Sequence, residues 1–305
     1  MADPSTLHRS LELAGTLPAL MVAADRVAAT VIQGVHGRRR VGQGDAFWQY
    51  RPFRDGDSAG RIDWRQSARS RQLFVRETEW EAAASVWLWR DASPSMQYAS
   101  LRGLDTKAVR AELITLALAN LLTDAAERIA LLGSGMRPTT GRLAVRRMAE
   151  AMFDERRAAD GQVGGKTRTL PSLPPLVPLP AHGSVVLVSD WLDPLDQIEN
   201  VIRHYSGAGV RGHIVQVLDP AEEELPFDGH VKFEGLESEG QHTVRRVETV
   251  RTAYSARLAA QREGLQRLAR PANWTVHLHR TDKPPQTILL SLYLAMADLR
   301  RLNAV

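Results

Sequence analysis

The stretch Ser85–Met96, SVWLWRDASPSM, decides the fold. Val86 to Trp89 form an almost unbroken apolar run that stops at Arg90 and Asp91, so it reads as a strand covered on both faces whose end carries a carboxylate. Working outward, AVRAELITLALANLL (108–122) has the pattern of a helix and ERIALLGSG (127–135) that of a second strand. A helix around Arg142 to Arg157 and the Pro-rich run PSLPPLVPLP follow; then come the strand SVVLVSD (184–190), a helix through Ile198 to Tyr205, and the strand VRGHIVQVL (210–218). Strands that alternate with helices predict an α/β fold with a mainly parallel sheet and helices on both faces. Ligands in such sheets sit beyond the carboxyl ends of the strands, where Asp91 and Asp190 fall.

Beyond Asp219 the alternation breaks into an acidic AEEE, an expected hairpin between His230 and Val247, and a long helix from about Val250 to Ala269. WTVHLH (274–279) is expected to return as an edge strand of the same sheet, followed by a helix from about Gln286 to Leu302. The main domain is therefore expected over 85–305, with an insertion at about 221–270. Residues 1–84 read as an extension packed on it. There, Leu17, Leu20, Met21, Ala24, Val27, Ala28, Val31 and Ile32 recur at helical spacing and predict a helix over 17–33. The loop GVHGRRRVGQGD comes next, then the strands FWQYRPF and QLFVRETEW around the turn RDGDSAG and a short helical piece capped at Asp63.

The 305 residues include no cysteine, which excludes disulfides, zinc ribbons, iron–sulfur clusters and a cysteine nucleophile. Any metal must be held by oxygen or imidazole. The net charge is +4, and 35 of the 39 basic residues are arginine. Between Gly34 and Arg76 ten arginines face four aspartates, which gives this stretch a basic face. The apolar run Leu17–Ala24 is cut by Asp25 and Arg26, and Ile288–Ala297 is about half the ~20 residues of a membrane span. A soluble, cytoplasmic protein without a membrane span is the expectation.

Asp91, Ser93 and Ser95 form an Asp-x-Ser-x-Ser run directly after the first buried strand. One carboxylate and two hydroxyls at a strand end supply part of the octahedral oxygen shell that Mg²⁺ or Mn²⁺ prefers. Further oxygens stand in two later loops: Thr167 or Thr169 after the glycine pair Gly164–Gly165, and Asp190 or Asp193 after the strand SVVLVS. A helix cap made by Asp91 and Ser93 is the structural alternative.

This order of residues resembles the metal-ion-dependent adhesion site of the von Willebrand factor type A fold. The resemblance implies that Asp91, Ser93, Ser95, Thr167 and Asp190 hold Mg²⁺ or Mn²⁺, with a partner's carboxylate as last ligand. The segment from Gly34 to Met96 is similar to the signature of a bacterial family named domain of unknown function fifty-eight. The matching elements are Gly34, Phe47, Arg51, Phe53, Gly56, Asp57, Ile62, Asp63, Trp64, Ala68, Arg69, Leu73, Phe74, Val75 and Arg76, followed by DASPSM. VLDPAEEELPF and RTDKP extend the likeness toward the C-terminus. That family resemblance implies a von Willebrand factor type A-like fold and association with a MoxR-type AAA+ ATPase.

Other signals are weaker. Gly165–Lys166–Thr167 ends like a phosphate-binding loop, but Asp160 stands where the first glycine is needed, and a helix precedes it instead of a strand. Phe47, Trp48, Tyr50 and Trp64 interleave with arginines as in nucleic-acid-binding surfaces, yet the alternating aspartates favour salt bridges or protein docking. Arg51, Asp57, Asp63, Trp64 and Arg69 are the candidates for such docking. His277 and His279 share a strand face and could begin a zinc site, though a solvated face is the expectation. No nucleophile with a neighbouring base is evident, so a non-enzymatic, metal-dependent interaction module is expected. The alternatives are a Mg²⁺-dependent phosphoester hydrolase and a scaffold with a vestigial metal site.

Overall fold

The computed structural model describes residues 20–32, 47–53, 62–69, 72–78, 85–160, 170–235 and 240–302. The chain divides into a larger unit, Met1–Val35 with Ala84–Val305, and a smaller one, His36–Ala83. Helix α1 spans residues 20–32 and belongs to the larger unit. The smaller unit pairs β1 (Phe47–Pro52) antiparallel with β2 (Phe74–Thr78), with register partners from Phe47↔Thr78 to Pro52↔Phe74. Between them lies α2 (Trp64–Ser67), which Asp63 caps by accepting the Gln66 N–H at 2.9 Å.

In the larger unit the order is β3 (Ser85–Arg90), α3 (Lys107–Asp124), β4 (Arg128–Leu131), α4 (Arg142–Asp160), β5 (Ser184–Ser189), α5 (Leu195–Gly207) and β6 (Arg211–Leu218). Then come the short α6 (Pro220–Glu224), the hairpin β7 (Val231–Glu234) and β8 (Gln241–Val244), α7 (Glu248–Ala269), β9 (Thr275–Arg280) and α8 (Pro285–Leu302). Five strands form one sheet in the order β4-β3-β5-β6-β9, every adjacent pair parallel. The chain starts inside the sheet, steps outward to β4, then returns past β3 to β5. Such a reversal leaves a crevice between the ends of β3 and β5.

The strands read as continuous apolar runs because alternate residues enter two separate cores. Val86, Leu88, Val186, Val188, Val215 and Val217 join α1, α3, α4 and α8 on one face. Trp87, Trp89, Val185, Leu187 and Ile214 join α5 and α7 on the other. Helix α3 is buried around most of its circumference, because the sheet, α4 and α8 pack on it and α1 joins them: Ala24, Val27, Ala28 and Val31 share its core, and Asn120 donates to Asp25 at 2.9 Å. At the other end of the sheet, a Cβ on Gly212 would come within 2.0 Å of the Trp274 ring, so this indole fixes glycine in β6.

The expected solvated face of β9 is corrected by α8. The chain folds this helix back over the edge strand, so His279 is 7% exposed and His277 pairs with Ser291 Oγ at 3.1 Å, whereas Leu278 on the opposite face is 46% exposed. Among the described residues no helix is long and apolar enough to cross a membrane.

Candidate metal centre

The crevice predicted by the topology is filled with polar groups. Asp91 prolongs β3 by one ladder position, its N–H donating to Val188 O at 2.8 Å, and is fully buried. Its Oδ1 accepts the Ser93 N–H at 2.7 Å and its Oδ2 accepts Ser189 Oγ at 2.8 Å. The first of these bonds tightens the chain into the turn that begins the 3₁₀ segment Pro94–Gln97; Ser93 itself makes no side-chain cap bond there. Ser93 Oγ lies 3.0 Å from Ser95 Oγ, which donates to Asp190 Oδ2 at 3.1 Å.

Asp190 is aimed by its surroundings. The next residue, Trp191, has φ +53, a left-handed backbone uncommon for a bulky side chain, and turns the chain sharply out of β5. Its fully buried indole holds that turn by donating to Val215 O at 3.0 Å and lying 6.4 Å from the Trp89 ring. Gln216 Nε2 donates to Asp190 O at 2.8 Å, and Gln261 of α7 donates to Trp191 O and Asp193 O at 2.9 and 2.8 Å. Asp193 accepts Ser172 Oγ at 2.6 Å.

Sequence reasoning missed a group that joins the cluster from the side. Lys107, the first residue of α3 and 1% exposed, donates to Asp190 Oδ2 at 2.9 Å and to Glu222 Oε1 at 2.5 Å. Glu222 is oriented by a capping box: its Oε2 accepts the Asp219 N–H at 2.9 Å, while Asp219 caps α6 and accepts the Ser100 N–H at 2.9 Å. Tyr254 of α7 donates to Glu222 O at 2.5 Å. One signal pointed to Lys107: it is one of four lysines in an arginine-rich chain and begins an apolar helix.

The electrostatics are those of buried carboxylates gathered around one ammonium. Burial, reinforced by the Asp190 carboxylate, pushes the Asp91 carboxyl up to about 7. Burial pushes Glu222 up against the pull of Lys107. For Lys107 the loss of solvation is outweighed by Asp190 and Glu222, and its ammonium is held above the ordinary lysine range. Tyr254 is raised to about 12 by burial and the nearby Glu222.

The donor set fits an oxygen-preferring cation. An octahedral shell with bonds of about 2.1 Å has neighbouring oxygens about 3.0 Å apart. The spacings Ser93 Oγ to Ser95 Oγ and Ser95 Oγ to Asp190 Oδ2 are compatible with that edge, and they are also the lengths of the hydrogen bonds that join these groups. Among the described residues no group of three or more His, Asp or Glu is placed to hold a metal, so the fit depends on the serine hydroxyls.

Of the residues expected from sequence, Asp91, Ser93, Ser95 and Asp190 thus meet in one cluster. Thr167 and its alternative Thr169 lie outside the described residues, as does Asp57. Arg51 falls on β1, and Asp63, Trp64 and Arg69 fall at and just after α2, with Trp64 64% exposed.

The family described as "Protein of unknown function DUF58" matches residues 49–264. Uncharacterised proteins of Mycobacterium bovis and of two Mycobacterium tuberculosis strains are each 26% identical over 293 residues, covering 92% of this chain and 89% of theirs. No solved structure matches the chain.

Proposed function

The chain belongs to the DUF58 family, and from that premise we propose that it is a von Willebrand factor type A-like protein-interaction module whose switch-point cluster takes up Mg²⁺ or Mn²⁺. The observation that carries this reading is the octahedral-edge spacing of Ser93, Ser95 and Asp190 beside the buried Asp91. Those four side chains would hold the ion, and by the family resemblance Thr167 would add a fifth oxygen. A bound divalent ion supplies positive charge that can anchor a carboxylate from a partner protein.

The protein's own residues prepare that contact. Ser189 and the Ser93 N–H fix both oxygens of Asp91, and Gln216 fixes the main chain at Asp190. Such pre-ordering lowers the entropic cost of assembling the site when the partner arrives. The partner to test first is a MoxR-type AAA+ ATPase, the association that the family resemblance implies. Arg51, Asp57, Asp63, Trp64 and Arg69 of the smaller unit are offered as additional docking residues.

A second reading, a scaffold that takes up no metal, has one observation in its favour: Lys107 already neutralises Asp190. Binding of the purified chain to a MoxR-type ATPase, followed by surface plasmon resonance with Mg²⁺ and with EDTA, separates the two. Affinity that requires Mg²⁺ and falls at least about tenfold in Asp91→Ala supports the module. Affinity indifferent to both EDTA and Asp91→Ala supports the scaffold.

A further inference from the structure

Lys107 stands where a lysine is hardest to keep. It is buried, and it opens an 18-residue helix whose N-terminal dipole end repels positive charge. Two carboxylates from distant parts of the chain hold it there, Asp190 at the end of β5 and Glu222 on α6. Asp190 Oδ2 is therefore shared: it accepts Ser95 Oγ at 3.1 Å and the Lys107 ammonium at 2.9 Å. This is the oxygen that also completes the octahedral edge.

Glu222 gives the ammonium a second seat. Its Oε1 lies 2.5 Å from Lys107 Nζ, and its Oε2 is pinned by the Asp219 N–H, so the carboxylate stays in place whether or not Asp190 is engaged. We propose that Lys107 is a tethered competitor for the cation position: its ammonium neutralises Asp190 until a divalent ion takes that oxygen, and then remains paired with Glu222 alone. Divalent affinity is set by this internal competition. The inference rests on the reading of the cluster as a divalent-cation site, and it extends that reading to Lys107 and Glu222.

Two substitutions move the affinity in opposite directions. Lys107→Gln removes the competitor and should tighten Mn²⁺ binding by about tenfold or more in calorimetric titration. Glu222→Gln removes the second seat, ties the ammonium to Asp190, and should weaken binding by about threefold or more. Near-ultraviolet circular dichroism checks that each variant is folded. The wild-type protein supplies a test independent of any variant. With four lysines in the chain, ¹⁵N-lysine labelling resolves the buried ammonium, and its resonance should shift on Mg²⁺ titration in step with the calorimetric isotherm.

Unchanged or weaker Mn²⁺ binding in folded Lys107→Gln overturns the proposal, as does an ammonium resonance that ignores a binding Mg²⁺ ion. Absence of Mn²⁺ binding in the wild type and both variants overturns it too. Binding in Lys107→Gln alone supports it most strongly. The interaction-module reading fails separately: Mn²⁺ binding that obeys these rules without any Mg²⁺-dependent ATPase capture would leave Lys107 as the competitor and remove the partner.

Discussion

Arg90 and Asp91 are neighbours in sequence and enter two buried charged clusters of different character. Arg90 meets Glu112 at 3.5 Å and Glu155 at 3.1 Å, and Arg156 meets Glu112 at 2.5 Å. Two guanidiniums face two carboxylates, and the remaining Arg90 N–H capacity is partly taken by Met152 O at 3.0 Å. Asp91 meets Asp190, which shares Lys107 with Glu222. Here, among the described residues, three carboxylates face one ammonium. The first cluster closes its own charge and ties β3 to α3 and α4; the second, once Asp91 is ionised, holds among the described residues more negative charge than positive. An imbalance of this kind costs folding free energy and is the feature by which a site for a cation differs from a structural ion-pair network.

Substitutions in the two clusters should therefore behave oppositely. The largest loss is expected for Arg90→Met, which leaves Glu112 buried with Arg156 alone. Denaturant unfolding should show a destabilisation of about 3–5 kcal/mol, with Mn²⁺ titration unchanged. A loss below about 1 kcal/mol would show that the balanced cluster is not structural.

His279 is a third kind of buried ionisable group, kept neutral instead of paired. Burial, with the Arg110 guanidinium adding to it and Asp282 opposing, holds its imidazole at about 4, below the ordinary 6.5. Between those values the unfolded chain takes a proton that the folded chain refuses, so the contribution of His279 to stability falls as pH drops from 6.5 toward 4. Asp91, raised to about 7, contributes with the opposite sign over the same window, so the His279 effect is read as the difference between wild type and His279→Leu in denaturant unfolding at pH 7 and pH 4. That difference should be on the order of 2–3 kcal/mol; identical pH dependence in the two proteins would place the titrating group elsewhere.

The smallest loss of stability is expected for Asp91→Asn. The amide keeps an acceptor for the Ser93 N–H and removes a buried charge that Asp190 repels, so metal-free stability at pH 8 should rise, or fall by less than about 1 kcal/mol. Mn²⁺ binding should nonetheless disappear. A destabilisation as large as that of Arg90→Met would erase the distinction between the clusters.

These contrasts were unevenly legible in the sequence. The apolar runs that end at Asp91 and at Asp190 stand out locally, because burial on both faces leaves a signature within six residues. Their meeting with Ser93 and Ser95 was expected from the place of both aspartates at strand ends and from the likeness to the adhesion site of the type A fold. The Lys107–Glu222 pair spans 115 residues and depends on how α3 and α6 converge, which no local pattern records. The left-handed turn at Trp191 was likewise hidden, since its sequence neighbours offer no glycine to mark it. The histidine face of β9 misled for a related reason: strand alternation says which residues share a face, and packing by α8 decides whether that face is wet.

The turn at Trp191 has an optical consequence. Its indole is sealed from solvent, hydrogen-bonded through Nε1 to Val215 O, and covalently adjacent to Asp190. An indole in such surroundings emits at shorter wavelength than one in water and responds to small changes in the local field. The residue that bends the chain to aim Asp190 is thus also a fluorophore one peptide bond from the crevice, and replacing the other six tryptophans would leave it as a built-in lamp there.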